Sequence, residues 1–125
     1  MYPSDILNLS NWWLALPTTG APTIKNLTQY VDPDNFFVDS GGSVIFSTPV
    51  GGATTSGTNY PRTELRELVN GSPAAWTTSV GRHVMQWRVA IGRMEATAKP
   101  ETVFGQIHDN SSDVIELMYD GDRSG

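Results

Sequence analysis

The sequence has 125 residues, 38% of them hydrophobic and 10% aromatic, which supports a single domain over residues 1–125 and excludes a wholly disordered chain. The formal net charge of −5 argues against a nucleic-acid partner, because no basic surface is available in bulk. The absence of cysteine excludes disulfide bonds and thiolate metal sites. No apolar run approaches the roughly 20 residues that a membrane span needs. Residues 1–5 also lack the basic and apolar regions of a signal peptide.

Residues 5–59 predict short β-strands joined by turns. Trp12–Leu16 is apolar and aromatic and is followed by a proline, which is typical of a buried strand. Two further β-type runs, at residues 35–39 and 43–48, flank a Gly-Gly pair, and this spacing indicates a hairpin. Residues 49–59 are rich in glycine and threonine and predict a flexible loop that could close over a ligand.

The second half of the chain predicts three more strands. His83–Ile91 shows the clearest alternation, and its face with Trp87 is apolar, as in a strand that packs on a core. Val103–His108 and Val114–Tyr119 are further strands, joined by a polar turn. No convincing helix exceeds two turns. Short strands at regular spacing with Gly/Pro turns indicate an all-β sandwich or barrel.

The stretch Arg62–Glu67 has unusual charges for a strand. Side chains alternate with period 2, so Arg62, Glu64 and Arg66 share one face. Guanidinium groups grip carboxylates in a bidentate manner, so this face is suited to an anion. A solvated face with ordinary Glu–Arg pairs is the alternative, and this stretch alone does not decide between the two.

A second candidate group lies on the strand Val103–His108. The alternation places Gln106 and His108 on one face. An Arg and a Gln can bind a carboxylate, and a His can remove a proton, which are the parts needed to take a proton alpha to a carboxylate. A lone histidine at a strand end is more often a surface residue, so the two strands have to be judged together.

Taken together, these motifs carry a resemblance. Tyr60–Glu67, followed further along the chain by Gln106–His108, resembles the alginate lyases of polysaccharide lyase family 7, and Asn11–Pro17 resembles the N-terminal strand of that family. The resemblance implies a jelly-roll β-sandwich, a concanavalin-like lyase fold, whose concave sheet holds an anionic polysaccharide. It implies cleavage of alginate by β-elimination, secretion from the cell, and no metal or other cofactor.

The resemblance also implies roles for individual residues. Arg62 and Gln106 would neutralise the substrate carboxylate, and His108 would act as the base or assist it. Glu64 and Arg66 would line the groove that binds the substrate, with Glu64 holding the arginines in place.

The family's C-terminal strand, which carries a catalytic tyrosine, has no counterpart in this sequence. We therefore expect a truncated catalytic domain whose fold is incomplete at the C-terminus and whose activity is impaired. Unpaired strand edges in such a domain favour self-association. The alternative function is a non-catalytic β-sandwich that holds an acidic glycan without cleaving it.

Overall fold

A computed structural model describes residues 1–95 and 100–121 of the chain. The sequence of residues 120–125 is rich in glycine and polar residues and indicates a turn, most of which lies outside the described residues. Two compact units are present, Met1–Pro73 and Ala74–Gly125. The described residues contain a 3₁₀ turn at Pro3–Asp5 and no α-helix. The strands are β1 (Trp12–Ala15), β2 (Thr23–Ile24), β3 (Phe36–Val38), β4 (Val44–Phe46), β5 (Glu64–Val69), β6 (Ser72–Pro73), β7 (Glu101–His108) and β8 (Asp113–Asp120).

The first unit contains an antiparallel sheet with the strand order β2-β1-β5-β6. In its centre, Leu14 of β1 lies opposite Leu65 of β5, and both leucines contact the hydrophobic core. Because side chains alternate across a strand, Glu64 and Arg66 project from the other face of β5. The sheet therefore directs Leu14 and Leu65 toward the core and places Glu64 and Arg66 on the opposite face.

The core of the first unit is built around Leu14 and Phe36, neither of which has any exposed surface. Full burial of such a side chain stabilises the folded state by about 1.5–3 kcal/mol. The hairpin β3–β4, predicted from its Gly-Gly turn, is confirmed, and its Phe36 and Phe46 rings meet edge to face at 5.1 Å. Tyr30 packs against this core; its burial, and secondarily the Asp32 carboxylate, raise the pKa of its phenol.

The second unit contains the antiparallel hairpin β7–β8, and this confirms the two strands predicted on either side of the polar turn. The pairing shifts register twice, between Val103 and Gly105 and again between Ile107 and His108. Such β-bulges place an extra residue on one strand and re-aim the side chains that follow. Within the described residues, no helix has the length and apolar character that a bilayer crossing requires.

The strand predicted over His83–Ile91 is wrong, because the structure assigns no strand to these described residues. A strand is stabilised by ladder hydrogen bonds to a neighbour, and no described strand pairs with this segment. Instead of pairing as a strand, the segment contacts the β7–β8 hairpin through one of its apolar side chains. The Trp87 side chain lies close over Gly105 of β7 while 41% of the residue stays exposed, so Trp87 is not the fully buried core residue that the pattern predicts.

Candidate functional site

Arg62 and Glu64 form an ion pair at the start of β5. Nη1 of Arg62 donates to Oε2 of Glu64 at 3.0 Å, and the two side chains are 39% and 28% exposed. Arg62 precedes the strand, which begins at Glu64 and is therefore shorter than predicted at its N-terminus. The physical reason lies at Thr63, whose N–H donates to the Thr48 hydroxyl and not to a neighbouring strand.

The loop predicted over residues 49–59 is anchored beside this ion pair. The N–H of Ala53 donates to the Pro17 carbonyl at 2.7 Å. Gly52 lies so close to Pro17 and Pro61 that an added Cβ would be 3.0 Å from the Cβ of each proline. Pro61 directly precedes Arg62, so this packing fixes the chain where it enters the charged stretch.

Arg66, the third predicted residue of this stretch, lies within β5. The register places it opposite Trp13 of β1, on the same face of β5 as Glu64. Within the first unit, the structure thus places Glu64 and Arg66 on the face away from the core, with Arg62 bonded to Glu64. That arrangement agrees with the predicted shared face, whereas the functions of these residues stay predictions.

In the second unit, four side chains of the β7–β8 hairpin form one continuous chain of contacts. Nε2 of Gln106 donates to Oε1 of Glu116 at 2.6 Å. Oε1 of Gln106 lies 3.1 Å from Nε2 of His108. The other ring nitrogen, Nδ1, lies 2.9 Å from Oδ1 of Asp113. The structure therefore brings the predicted Gln106 and His108 into direct contact and adds a carboxylate at each end.

The donors and acceptors in this chain restrict its protonation. The Glu116 carboxylate only accepts hydrogen bonds, so the Gln106 amide turns its NH₂ group toward it and its oxygen toward His108. An amide oxygen also only accepts, so the contact at Nε2 requires a hydrogen on that nitrogen. The Asp113 contact requires one on Nδ1. A doubly protonated ring satisfies both contacts, and a neutral ring satisfies one of them.

A tight loop between the strands sets the position of Asp113. The Asp109 carboxylate accepts hydrogen bonds from the N–H groups of Ser111 and Ser112, at 2.7 and 2.8 Å, and from the Ser111 hydroxyl at 3.1 Å. These bonds hold the pKa of the Asp109 carboxyl below its ordinary value, and the nearby His108 adds to the effect. The loop closes so that Asp113 pairs with His108 across the hairpin.

The backbone of His108 is held from a second side by Trp76. The Trp76 N–H donates to the His108 carbonyl at 2.7 Å. The Trp76 indole stacks on the His83 ring, with ring centroids 4.8 Å apart, and Nε2 of His83 lies 3.1 Å from the Val80 carbonyl. These contacts tie the end of β7 to the segment that precedes it in the second unit.

Sequence reasoning missed Asp113 and Glu116. Asp113 could have been found by counting back across the four-residue turn, which pairs it with His108. The same count places Ile115 opposite Gln106, but the bulge between Ile107 and His108 shifts the register and brings Glu116 there instead. No group of three or more potential metal-ligating side chains was found in the described part of the chain.

Comparisons with known proteins agree on one family. A family model described as "Alginate lyase" matches residues 7–124. A curated alginate lyase from Klebsiella pneumoniae is 29% identical over 153 residues, which cover 94% of this chain and 49% of that protein. This chain thus spans about half the length of the curated relative it matches.

Solved structures give the same result for the fold. AlgAT5, described as an alginate lyase from polysaccharide lyase family 7, is 37% identical and superposes with a TM-score of 0.79, covering 97% of this chain and 58% of its own. Alginate lyase A1-II' of the same family is 21% identical with a TM-score of 0.57, covering 98% of this chain and 67% of its own. The all-β, jelly-roll fold class predicted from the sequence is confirmed by these matches.

Proposed function

The chain belongs to the alginate lyase family, and from that membership we propose that it binds alginate and cleaves its glycosidic bond by β-elimination. Alginate is a poly-uronate, so each sugar unit carries a carboxylate next to the carbon that loses a proton. The 37% identity to a solved alginate lyase supports this substrate class.

The reaction needs a base, a proton source and hydrogen-bond donors for the substrate carboxylate. A base removes the proton alpha to the carboxylate, and the electron pair forms a carbon–carbon double bond as the bond to the glycosidic oxygen breaks. That oxygen takes up a proton from solvent water as it leaves. Hydrogen-bond donors aimed at the carboxylate stabilise the charge that develops before the bond breaks. The product is an unsaturated uronate at a new chain end.

In the second unit, we assign proton removal to Nε2 of His108 and carboxylate binding to the amide of Gln106. The amide nitrogen has two hydrogens and gives only one to Glu116, so the second can donate to a substrate carboxylate. The contact of 3.1 Å between the Gln106 amide and the His108 ring is the observation that carries the proposal. It places a carboxylate donor beside a base.

In the first unit, we assign carboxylate binding to Arg62, with Glu64 orienting its guanidinium. The ion pair uses Nη1 of Arg62, and the partly exposed guanidinium retains further N–H donors for an anion. Arg66 lies on the same face of β5 as Glu64 and lines the groove in this proposal. A guanidinium is suited to this role because it stays protonated and grips carboxylates in a planar geometry.

The proposal is tested by following the ultraviolet absorbance of the unsaturated product during incubation with alginate. We expect slow turnover by the chain, in keeping with the impaired activity expected from the sequence, and loss of about 100-fold or more of it in His108→Asn, in line with the contribution of general bases. His83→Asn is the matched control, since His83 is the other histidine of the chain. Saturable alginate binding without product would reject the lyase function and support the alternative, a non-catalytic β-sandwich that binds an acidic glycan.

We also propose that the chain self-associates through β8. All of its residues are exposed, including Leu117 and Met118, and among the described residues only β7 pairs with it. An exposed apolar edge strand is a template for pairing with another chain. Light scattering should show dimers or larger species that dissociate in Leu117→Lys, and a monomer at all concentrations would contradict the proposal.

We also propose that the protein acts outside the cell, because the family's substrate is a large polymer. A long, charged polysaccharide cannot diffuse across a lipid bilayer, and cleavage outside the cell yields fragments that are small enough for uptake. We expect the protein in the culture medium of its source, and immunodetection in the cell fraction alone would reject this localisation.

A further inference from the structure

We propose that Asp113 and Glu116 are positioning residues for the two side chains of the hairpin that act on substrate. Asp113 holds a hydrogen on Nδ1 of His108, so that Nε2 is the nitrogen that exchanges the proton. Glu116 fixes the Gln106 amide with its oxygen toward Nε2. The catalytic consequence rests on the proposed lyase function, whereas the orientation of both side chains can be measured without turnover.

The first step concerns the His108 ring. Which nitrogen of a neutral imidazole carries the hydrogen is set by the hydrogen bond that the other nitrogen makes. Oδ1 of Asp113, 2.9 Å from Nδ1, belongs to a carboxylate, which only accepts hydrogen bonds, so it favours the hydrogen on Nδ1. The Asp109 loop and the cross-strand register hold Asp113 in that place. Nε2 is then left with the lone pair that a base needs.

The second step concerns the Gln106 amide. If the amide were flipped, its oxygen would face the Glu116 carboxylate at the present distance of 2.6 Å, and two acceptors would repel each other. Glu116 therefore selects one of the two amide orientations. In that orientation the oxygen of Gln106 accepts from a protonated Nε2 and repels a deprotonated one.

The two steps together couple the state of the base to the position of the amide. When Nε2 loses its hydrogen, Asp113 still satisfies Nδ1, so the contact that opens is the one between His108 and Gln106. Opening it exposes the Nε2 lone pair and frees the Gln106 oxygen from that contact, while Glu116 still holds the amide nitrogen, whose second hydrogen can donate to a substrate carboxylate. The hairpin thus links readiness of the base to the position of the carboxylate donor.

The orientation of His108 is tested by long-range ¹⁵N–¹H correlation spectra of the full chain, recorded at a pH at which the ¹⁵N shifts themselves identify neutral rings. The chain has two histidines, and a His83→Asn variant assigns the signals. His83 is an internal reference, since its contact with the Val80 carbonyl requires the hydrogen on Nε2. We expect the opposite tautomer, with hydrogen on Nδ1, at His108.

The variants then separate the hydrogen bond from the charge. Asp113→Ala should move the hydrogen of His108 mainly to Nε2, Asp113→Glu should keep it on Nδ1, and Glu101→Gln, at the far end of β7, should change nothing. Glu116→Ala should shift the side-chain NH₂ signals of Gln106. A wild-type ring with hydrogen on Nε2, or an unchanged tautomer in Asp113→Ala, would overturn the proposal. Where the alanine variant does not fold, Asp113→Leu, which has a similar shape and no hydrogen-bond acceptor, is measured in its place with the same expected result.

Turnover on alginate gives the second readout. Asp113→Ala should lower kcat by about 100-fold with KM changed by no more than about twofold, because the loss affects the base and not ground-state binding. Asp113→Glu should recover most of the rate. If the chain shows no turnover but the tautomer depends on Asp113, the positioning stands and the lyase function fails. If turnover is normal in Asp113→Ala, the positioning fails and the lyase function stands.

Discussion

The indole of Trp87 lies so close over Gly105 that no other residue type fits at position 105 without movement. A Cβ there would lie 2.7 Å from Cζ2 of Trp87 and 3.4 Å from Cδ1 of Leu117. Gly105 directly precedes Gln106 in β7. A segment that pairs with no described strand therefore packs on the hairpin next to the residue to which we assign carboxylate binding.

This contact predicts that Gly105→Ala destabilises the chain. The added methyl has to displace the Trp87 ring, and overpacking of this kind costs about 1–3 kcal/mol. Urea unfolding followed by tryptophan fluorescence measures the change. Gly92→Ala is the matched control, since a Cβ at Gly92 meets nothing within 4 Å. Equal unfolding free energies for the two variants would contradict the packing of Trp87 on β7.

A second glycine is predicted to matter at the charged stretch of the first unit. A Cβ on Gly52 would lie 3.0 Å from the carbonyl oxygen of Pro17 and 3.0 Å from the Cβ of Pro61, and neither of these rigid groups can rotate away. Gly52→Ala should therefore shift Pro61 and the adjoining Arg62, with a stability cost of about 1–3 kcal/mol.

The measurement for Gly52→Ala combines urea unfolding with alginate binding by calorimetry. Weaker binding together with lower stability is the expected pair of results. Gly92→Ala again controls for the added methyl group. Unchanged binding in Gly52→Ala would show that the packing of residues 52 and 61 does not set the position of Arg62.

The sequence predicts what is local in this fold and misses what depends on partners. The hairpin β3–β4 and the strands β7 and β8 follow from alternation and turn residues, and the structure confirms them. His83–Ile91 alternates as strongly, but alternation specifies a buried face and says nothing about which strand supplies the ladder bonds. The prediction therefore fails where no described strand pairs with the segment.

The candidate site shows the same limit. Arg62, Gln106 and His108 follow from motifs, because their side chains are adjacent to recognisable neighbours in the chain. Asp113 follows from counting across a turn. Glu116 does not follow, because a bulge shifts the pairing by one residue, and a bulge is decided by the twist and packing of the folded hairpin.

Removal of the Arg62–Glu64 ion pair is predicted to weaken alginate binding and to have little effect on the stability of the fold. The pair is partly exposed, so its loss in Arg62→Ala should change the unfolding free energy by less than about 1 kcal/mol. Alginate binding should weaken by about tenfold, because a charge-assisted bond to the substrate carboxylate is removed. Arg62→Lys should recover part of it, since lysine keeps the charge and loses the fork geometry.

Calorimetric titration with alginate oligomers measures the effect of Arg62→Ala, and Lys25→Ala, which removes another exposed cation of the first unit, is the control. Equal weakening in both variants would assign the effect to net charge and reject a specific role for Arg62. A large loss of stability in Arg62→Ala would show that the ion pair is structural.

The Asp109 loop predicts acid sensitivity of the hairpin. The pKa of Asp109 is lowered in the folded chain by hydrogen bonds from Ser111 and Ser112. Its contribution to stability is therefore complete above the ordinary aspartate pKa of about 3.9 and is lost as pH falls through the lower folded value. We expect amide exchange of Ser111 and Ser112 to accelerate as pH falls below about 4, relative to the intrinsic exchange rate.

In the Asp109→Asn variant, the same two amides should exchange faster at neutral pH and lose this pH dependence. Protection that is independent of pH in the wild-type chain, or unchanged in Asp109→Asn, would show that the carboxylate does not hold the loop that positions Asp113.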